Sequence, residues 1–265
     1  MRRITTTALA FAAGLALATA AYATPLPNSA VIKTRIFDDC PISILSTTNL
    51  FPGLIQISDQ NGPPQPICAG FANLHNWSFS TNGTNAIQFL NGDAFSFSST
   101  VVLNGVGEGG LRLSPWFSPD VDGLFNVRTT DGEVACFGGR LPFFSFTGAF
   151  GLVYLNNTPI QLGITYLPRG LSLASPAQIV YTVRYNSINY TSGLINFDQG
   201  NPTEDPPHGQ WGALNPWYAG GSMKMFCFPS GQPHGIVGTW NDIQYSTNPV
   251  PAKKSSWTEI KKLYR

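Results

Sequence analysis

Apolar and polar residues alternate along short segments of this chain, and the alternation limits the folds that the chain can adopt. From Phe95 to Leu103 every second residue belongs to a mostly apolar set, and the residues between them are mainly Ser and Thr. Residues 178–185 repeat the pattern with Ile, Tyr and Val. Because successive side chains of a β-strand point to opposite faces, both segments predict strands that bury one face in a core.

Other short runs rich in β-branched and aromatic residues are separated by Asn, Gly, Asp and Pro. The clearest predicted strands span residues 42–47, 54–57, 94–103, 124–128, 133–137, 160–167, 178–185, 223–228 and 236–245. Asp131-Gly132 predicts a hairpin with a type I′ turn. Because the chain has 27 Gly and 21 Pro and no convincing helix between residues 30 and 246, we predict an all-β fold, an antiparallel β-sandwich of jelly-roll type.

The N-terminus has the layout of a secretory signal peptide. Basic residues follow Met1, residues 8–20 are apolar and small, and Ala21 and Ala23 suit a signal peptidase. The apolar run is shorter than the roughly 20 residues that cross a membrane as a helix. We therefore predict that residues 1–23 are removed and that the mature protein is secreted, either outside the cell, on its surface or in the periplasm. No second apolar stretch follows, so no transmembrane segment is predicted.

The charge of the mature chain argues against one class of partner. Without residues 1–23 the chain has 13 basic and 14 acidic side chains, a balance that makes nucleic acid an unsuitable partner. Residues 24–250 have 8 basic and 13 acidic side chains, whereas residues 251–265 have five basic and one acidic. The end of the chain therefore differs chemically from its body.

This difference suggests a domain boundary. We predict the sandwich over residues 30–246 and, over residues 247–265, a linker followed by a short basic amphipathic helix. Ser256 and Glu259 have the spacing of a capping box, and Trp257 begins an apolar helical face. The basic face suits contact with an acidic surface or partner.

Four cysteines form an even set in a chain predicted to be exported, where disulfides persist. Four cysteines can form two disulfides in three different ways. We favour Cys40 with Cys68, which closes a short loop, and Cys136 with Cys227, since both lie in segments predicted to be central strands. No Cys-x-x-Cys pair is present and the three His are scattered, so the sequence predicts no zinc site.

The order of several motifs resembles a known family. They are HNW at 75–77, FSF at 95–97, GGLRL at 109–113, DGLF at 122–125, GEVACFGG at 132–139 and LPFF at 141–144. Together they resemble the concanavalin A-like lectin/glucanase jelly roll, in a version found in exported bacterial proteins of uncharacterised function. The resemblance spans residues 35–246. It implies the fold and carbohydrate as the leading ligand class, and its motifs are structural rather than catalytic.

Glucanases of this fold use paired carboxylates in a Glu-x-Asp-x-x-Glu pattern, because retaining cleavage needs two carboxylates about 5 Å apart. The pattern is absent here: the glutamates are Glu108, Glu133, Glu204 and Glu259, and Asp131, near Glu133, belongs to the Asp-Gly turn. We therefore predict a non-catalytic recognition or surface-structural protein. A glycan-cleaving enzyme of the same fold and a purely structural cell-surface component are the alternatives.

The connection over residues 197–221 contains the candidate ligand-binding residues. Aromatic rings cover the apolar faces of sugars, and carboxylates accept hydrogen bonds from sugar hydroxyls. The predicted saccharide contacts are Trp211, Trp217, Tyr218, Asp198 and His208. Alternatively, the rings pack over the edge of a sheet.

The sequence predicts no cofactor. Asp120 and Asp122 resemble the beginning of a calcium loop. An EF-type loop from Asp120 would need a ligand at Leu124 and a glycine in place of Phe125. We therefore predict a β-turn here, with a calcium site of another type as the alternative.

Overall fold

The computed structural model describes residues 25–62, 70–114, 123–138, 141–198, 211–213, 216–227 and 234–247. These residues form two antiparallel β-sheets packed face to face. The fold is therefore the antiparallel jelly-roll β-sandwich that the sequence predicts. No helix in these ranges is long and apolar enough to cross a membrane. The predicted signal peptide and C-terminal helix lie outside the described residues.

Seven strands form one sheet, which we call sheet A. In spatial order they are β1 (Ser29–Asp38), β4 (Gly70–Ser80), β14 (Tyr218–Cys227), β6 (Gly107–Ser114), β7 (Gly123–Arg128), β8 (Val134–Phe137) and β9 (Phe144–Ser145). The late strand β14 lies between β4 and β6, so the middle of sheet A joins segments that are far apart in sequence.

Eight strands form the second sheet, sheet B. Seven lie in the order β12 (Ile188–Thr191), β11 (Gln178–Tyr185), β10 (Ile160–Leu167), β5 (Phe95–Gly105), β15 (His234–Ser246), β3 (Leu54–Gly62) and β2 (Ile44–Leu50). The eighth, β13 (Ile195–Asn196), pairs with β11.

The core lies between the sheets and is rich in aromatic rings. Strand β5 alternates buried and half-buried residues, which confirms the predicted inward face that includes Phe95 and Leu103. Strand β11 likewise buries Ile179 and Tyr181. The boundaries of β10 and β11 are those predicted from the alternation. Removal of these apolar side chains from water is the main stabilising contribution to the fold.

Two tryptophans from opposite sheets meet in this core. Trp77 of β4 and Trp240 of β15 have ring centroids 6.2 Å apart in an edge-to-face arrangement. The Nε1 of Trp240 donates to the carbonyl of Gly110 in β6, 2.9 Å away. Gly221 of β14 leaves room for the rings, because a Cβ there would lie 2.6 Å from Trp240 Nε1. These contacts connect the two sheets directly.

Strands β7 and β8 form the predicted hairpin, but not through a type I′ turn. Gly132 has a φ of 76°, whereas Asp131 does not have a positive φ. The connecting segment covers residues 129–133, longer than the two-residue loop that a type I′ hairpin uses.

One short helix, α1 (Phe146–Phe150), follows β9, contrary to the expectation of no helix in the sandwich. The Ser145 side chain caps it by accepting from the Gly148 N–H, and Gly151 ends it in the left-handed conformation. Phe146 stacks on Phe125 of β7, so the helix closes one end of the core.

Neither predicted disulfide pairing is present, because Cys40 and Cys136 are both buried free thiols. Cys136 in β8 and Cys227 in β14 belong to sheet A, with β6 and β7 between them. Three strand spacings of about 4.8 Å exceed the roughly 6 Å that a disulfide spans between Cα atoms. Cys40 follows β1, where its backbone N–H donates to Asn73 Oδ1. Cys68 lies outside the described residues.

We expect iodoacetamide to modify Cys136 only after the protein unfolds, even when no reductant is added. Burial raises the pKa of the Cys136 thiol well above its usual range, so the native thiol is protonated as well as inaccessible. Mass spectrometry of samples alkylated with and without guanidinium chloride measures this. Modification of Cys136 in the native protein, or none after unfolding, would contradict the structure. Cys40, the other buried free thiol, should behave in the same way.

Candidate functional site

Trp217, one of the predicted ligand contacts, lies in the core. It is 1 % exposed, and its ring stacks on Phe89 with 4.5 Å between centroids. Its Nε1 donates to the Leu90 carbonyl, 3.0 Å away. A ring enclosed in this way has no face left for a sugar. The structure therefore corrects the predicted role of Trp217 from ligand contact to core residue.

Trp211 and Asp198 form the base of the predicted ligand-binding connection. The Trp211 N–H donates to the Asp198 carbonyl (3.0 Å), and the Ala177 N–H donates to the Trp211 carbonyl (2.7 Å). Trp211 is half-buried and Asp198 is exposed. Both side chains remain predicted contacts. His208 lies in residues 199–210, outside the described part of the chain.

Tyr218 has an environment different from that of its neighbour Trp217. It is half-buried, and its hydroxyl accepts from Gln88 Nε2 at 2.9 Å. Because Trp217 and Ala219 point into the core, Tyr218 lies on the outer face of sheet A. The same face of β14 continues with Ser222 and Lys224.

Polar side chains from four adjacent strands surround Ser222 on this outer face, and we call them the polar strip. The polar strip consists of Asn76 and Ser78 of β4, Tyr218, Ser222 and Lys224 of β14, Glu108 and Arg112 of β6, and Asn126 of β7. The register aligns Asn76, Ser222 and Asn126 in one row, with Gly110 between the last two. At about 6.6 Å for every second residue, the strip extends about 20 Å from Tyr218 to Lys224.

Arg112 is fully buried in the polar strip. Oriented by its hydrogen bonds, the Asn76 amide donates to the His75 carbonyl (2.8 Å) and accepts from Arg112 Nη1. Lys33 of β1 lies opposite Asn76 and is exposed. Burial lowers the pKa of the Lys33 ammonium, and the Arg112 charge lowers it further. Two cations therefore lie near each other on the β1 side of the strip.

Asn126 and Ser222 contribute buried polar atoms that the fold does not use. Asn126 is 3 % exposed and Ser222 is 1 % exposed. Among the described residues, no group hydrogen-bonds Asn126 Oδ1, Asn126 Nδ2 or Ser222 Oγ. A buried polar group left in this state costs about 1–3 kcal/mol. The strip thus contains an amide and a hydroxyl whose hydrogen-bonding capacity no described group uses.

Glu108 is the carboxylate of the polar strip, and it is held by cations. It lies 3.8 Å from Lys224 Nζ and 3.5 Å from Arg128 Nε. The strip therefore lacks the pair of carboxylates that glycoside hydrolysis normally uses. Within the described ranges, no three His, Cys, Asp or Glu side chains come together as metal ligands. Asp120 and Asp122, the calcium-loop candidates, lie outside those ranges.

A second polar cluster lies inside the sandwich at the β1 edge. His75 Nδ1 accepts the backbone N–H of Arg35 (3.0 Å), so Nε2 bears the proton and donates to Asp59 Oδ2 (2.8 Å). Asn73 Nδ2 donates to the same oxygen at 2.6 Å. Burial and the Asp59 charge raise the pKa of the neighbouring Cys40 thiol, which favours its protonated form. The hydrogen bonds of the cluster therefore join β1, β3 and β4.

The arrangement of strands defines the structural class of the chain, an antiparallel β-sandwich of two sheets. No protein-family model matches the chain, and no curated protein matches it.

Solved structures similar to this chain include a polysaccharide lyase and lectins. Family 7 alginate lyase A1-II' in complex with substrate has a TM-score of 0.41 and 10% identity, over 76% of this chain and 80% of that chain. Lectin UEA-II complexed with galactose has a TM-score of 0.41 and 10% identity, over 85% and 97%. Arcelin-5, a lectin-like defense protein from Phaseolus vulgaris, has a TM-score of 0.37 and 12% identity, over 82% and 97%. Similarity at this level concerns the arrangement of strands and assigns no function to this chain.

The residues at the centre of the polar strip are not among the sequence-predicted contacts. Asn76 and Arg112 lie in the motifs HNW and GGLRL, which the family resemblance indicates to be structural rather than catalytic. One signal was available: in Leu111-Arg112-Leu113 an arginine alternates with two core leucines, so it must face away from the core. Arg112 lies near Asn126 and Ser222 because of the order of strands in sheet A. That order cannot be predicted from the residue pattern of a single strand.

We expect Trp217→Ala to lower the free energy of unfolding by about 3–5 kcal/mol, because it empties a closed site in the core. Trp211→Ala is the matched control. Its side chain is half-buried and its hydrogen bonds are made by the backbone, so we expect a loss of about 1 kcal/mol or less. Urea unfolding followed by fluorescence measures both. Equal losses for the two variants would contradict the different placements of these rings.

We expect stability to fall below about pH 4 in a manner that depends on Asp59. Burial alone would raise the pKa of this carboxyl, but hydrogen bonds from His75, Ser43 and Asn73 outweigh it and lower the pKa. A lowered native pKa gives stability that is present above the unfolded value of about 3.9 and is lost as the pH falls through the native value.

Urea unfolding between pH 3 and pH 7 tests this expectation. Asp59→Asn should be less stable than the wild type at pH 7 and should show a smaller decrease in stability as the solution is acidified. A variant with the same acid-induced decrease as the wild type would show that Asp59 is not its source.

Proposed function

We propose that the protein is an exported, non-catalytic carbohydrate-binding protein that holds a saccharide against the polar strip. The observation that supports this most directly is the buried and unused hydrogen-bonding capacity of Asn126 and Ser222. An amide needs an acceptor for its nitrogen and a donor for its oxygen. Sugar hydroxyls supply both, so a saccharide that spans β6 can satisfy the Asn126 amide and the Ser222 hydroxyl, which lie two strands apart.

The rest of the polar strip suits the same ligand. Tyr218 places an aromatic ring at one end of the strip, and such a ring can cover the apolar face of a sugar. Arg112 and Lys33 add positive charge on the β1 side.

Three further residues predicted from the sequence stay proposed saccharide contacts, namely Trp211, Asp198 and His208. The backbone of Trp211 pairs with that of Asp198 beside Ala177, and His208 follows from the sequence alone. Trp217 is excluded because its ring lies in the core.

We propose binding rather than cleavage because of the state of Glu108. Lys224 and Arg128 pair with this carboxylate, and the polar strip offers no second one to act with it. Assay of reducing-sugar release tests the alternative of a glycan-cleaving enzyme on the same samples.

Export is the part of the proposal that follows from the sequence. The predicted signal peptide over residues 1–23 would place the sandwich where polysaccharides are accessible. Mass spectrometry of the protein recovered from culture medium or periplasm tests this, because the mature chain should begin near Thr24.

We expect Asn126→Leu combined with Ser222→Ala to weaken saccharide binding at least tenfold while leaving thermal stability unchanged or raised. These groups have no hydrogen-bond partner among the described residues, so their removal breaks no bond within the fold. About 1 kcal/mol for each lost ligand hydrogen bond corresponds to more than tenfold in Kd over two or more bonds. A glycan array and insoluble polysaccharides, each with calcium and with chelator, measure binding.

Ser46→Ala, on the exposed edge strand β2, is the control and should bind as the wild type does. A double variant that binds at wild-type affinity would exclude the polar strip as the site. Loss of binding together with a large fall in melting temperature would assign these residues a role in folding instead.

A further inference from the structure

A groove crosses the outer face of sheet B, on the side of the sandwich opposite to the polar strip. Three adjoining concavities with volumes of about 280, 360 and 580 Å³ form it. Ser98 and Thr182 line both the first and the second concavity, and Gln161 and Arg184 line both the second and the third. The three are therefore one continuous depression, which we call the sheet B groove.

A glycine gives the sheet B groove its depth. Gly163 of β10 lies between Ser98 of β5 and Thr182 of β11 in the register. A Cβ at this position would lie 2.5 Å from Thr182 Oγ1. Any larger residue would therefore fill the floor, and the row on either side of it consists of hydroxyl groups.

The side chains that line the sheet B groove are available to a ligand. In the part of the chain that the structure describes, Ser98, Gln161, Thr182 and Gln244 form no side-chain hydrogen bonds. All four belong to regular strands, so the backbone fixes their positions. The groove is thus a surface of hydroxyls and amides whose bonding groups the described part of the fold does not use.

We propose that the sheet B groove is a second saccharide-binding surface. Rows of polar side chains on neighbouring strands recur at about 4.8 Å, and they present both donors and acceptors, as a chain of sugar hydroxyls requires. Arg184 adds a cation. An apolar ligand would have to desolvate these polar groups without replacing their hydrogen bonds, at a cost of about 1–3 kcal/mol each.

A second surface on the opposite side of the sandwich changes what one molecule can do. With the core between them, the polar strip and the sheet B groove face in opposite directions, so one ligand cannot occupy both. One molecule can then hold two polysaccharide chains and bridge them. This part of the inference rests on the proposed function of the polar strip.

Binding of the mature protein to cellulose, chitin, xylan and alginate tests the inference. The groove variant combines Gln161→Ala, Arg184→Ala and Gln244→Ala, and Gly163→Leu fills the floor as an independent change. Gln56→Ala, on the same face of sheet B but outside the groove, is the matched control. We expect the groove variant to lower affinity for at least one of these polysaccharides about tenfold or more, with no effect of Gln56→Ala.

The outcomes separate the two proposals. Wild-type affinity of the groove variant for every polysaccharide that the protein binds would overturn the sheet B groove. Loss in the groove variant but not in Asn126→Leu with Ser222→Ala would support the groove and overturn the polar strip. Failure of the wild-type protein to bind any of the four polysaccharides would overturn both.

Bridging has its own measurement. Beads coated with the bound polysaccharide should aggregate when the wild-type protein is added, and neither single-surface variant should aggregate them. Aggregation by a variant that lacks one surface would exclude bridging through the two faces.

Discussion

The contact between Trp77 and Trp240 fixes how sheets A and B face each other, and the outer surfaces depend on it. The Trp240 indole donates to the carbonyl of Gly110, a residue of β6 in the same cross-strand row as Ser222 and Asn126. This hydrogen bond between the two sheets therefore also fixes the position of the β6 backbone at Gly110, within the row that contains Ser222 and Asn126. Since Gly221 admits both rings, a larger residue there would disturb the core and the polar strip together.

The sandwich places polar chemistry on both of its outer faces, but in two different forms. The polar strip is buried and includes charged groups, Arg112 and Glu108. The sheet B groove is half-exposed and consists mainly of neutral hydroxyls and amides around Gly163. A fold with a net stability of about 5–15 kcal/mol can tolerate a few unsatisfied polar groups only if the rest of its core is well packed. The aromatic residues packed between the two sheets supply this stabilisation.

How much of this arrangement the sequence predicts depends on the faces that each strand presents. Strands β10 and β11 could be predicted because their two faces differ in polarity. Strand β4 could not, because it buries residues on both faces and the alternation disappears. Trp217 and Tyr218 show why the site residues could not all be predicted. The sequence suggests the same role for these two adjacent aromatic residues. In the strand, however, successive side chains point to opposite faces, so Trp217 lies in the core and Tyr218 in the polar strip. The disulfide pairings failed for a related reason, since strand order is a property of the whole sheet.

The hydrogen bond between Trp211 and Asp198 marks a position at which the length of the chain can change during evolution. The hydrogen bond brings residues 198 and 211 together, and Ala177 bonds to both sides of this junction by donating to Trp211 and accepting from Phe197. Because the entropy of closing a loop rises only slowly with its length, residues can be gained or lost between the two without moving β11 or β13. We expect related chains to differ in length here, and a foreign segment inserted here to leave the sheets intact.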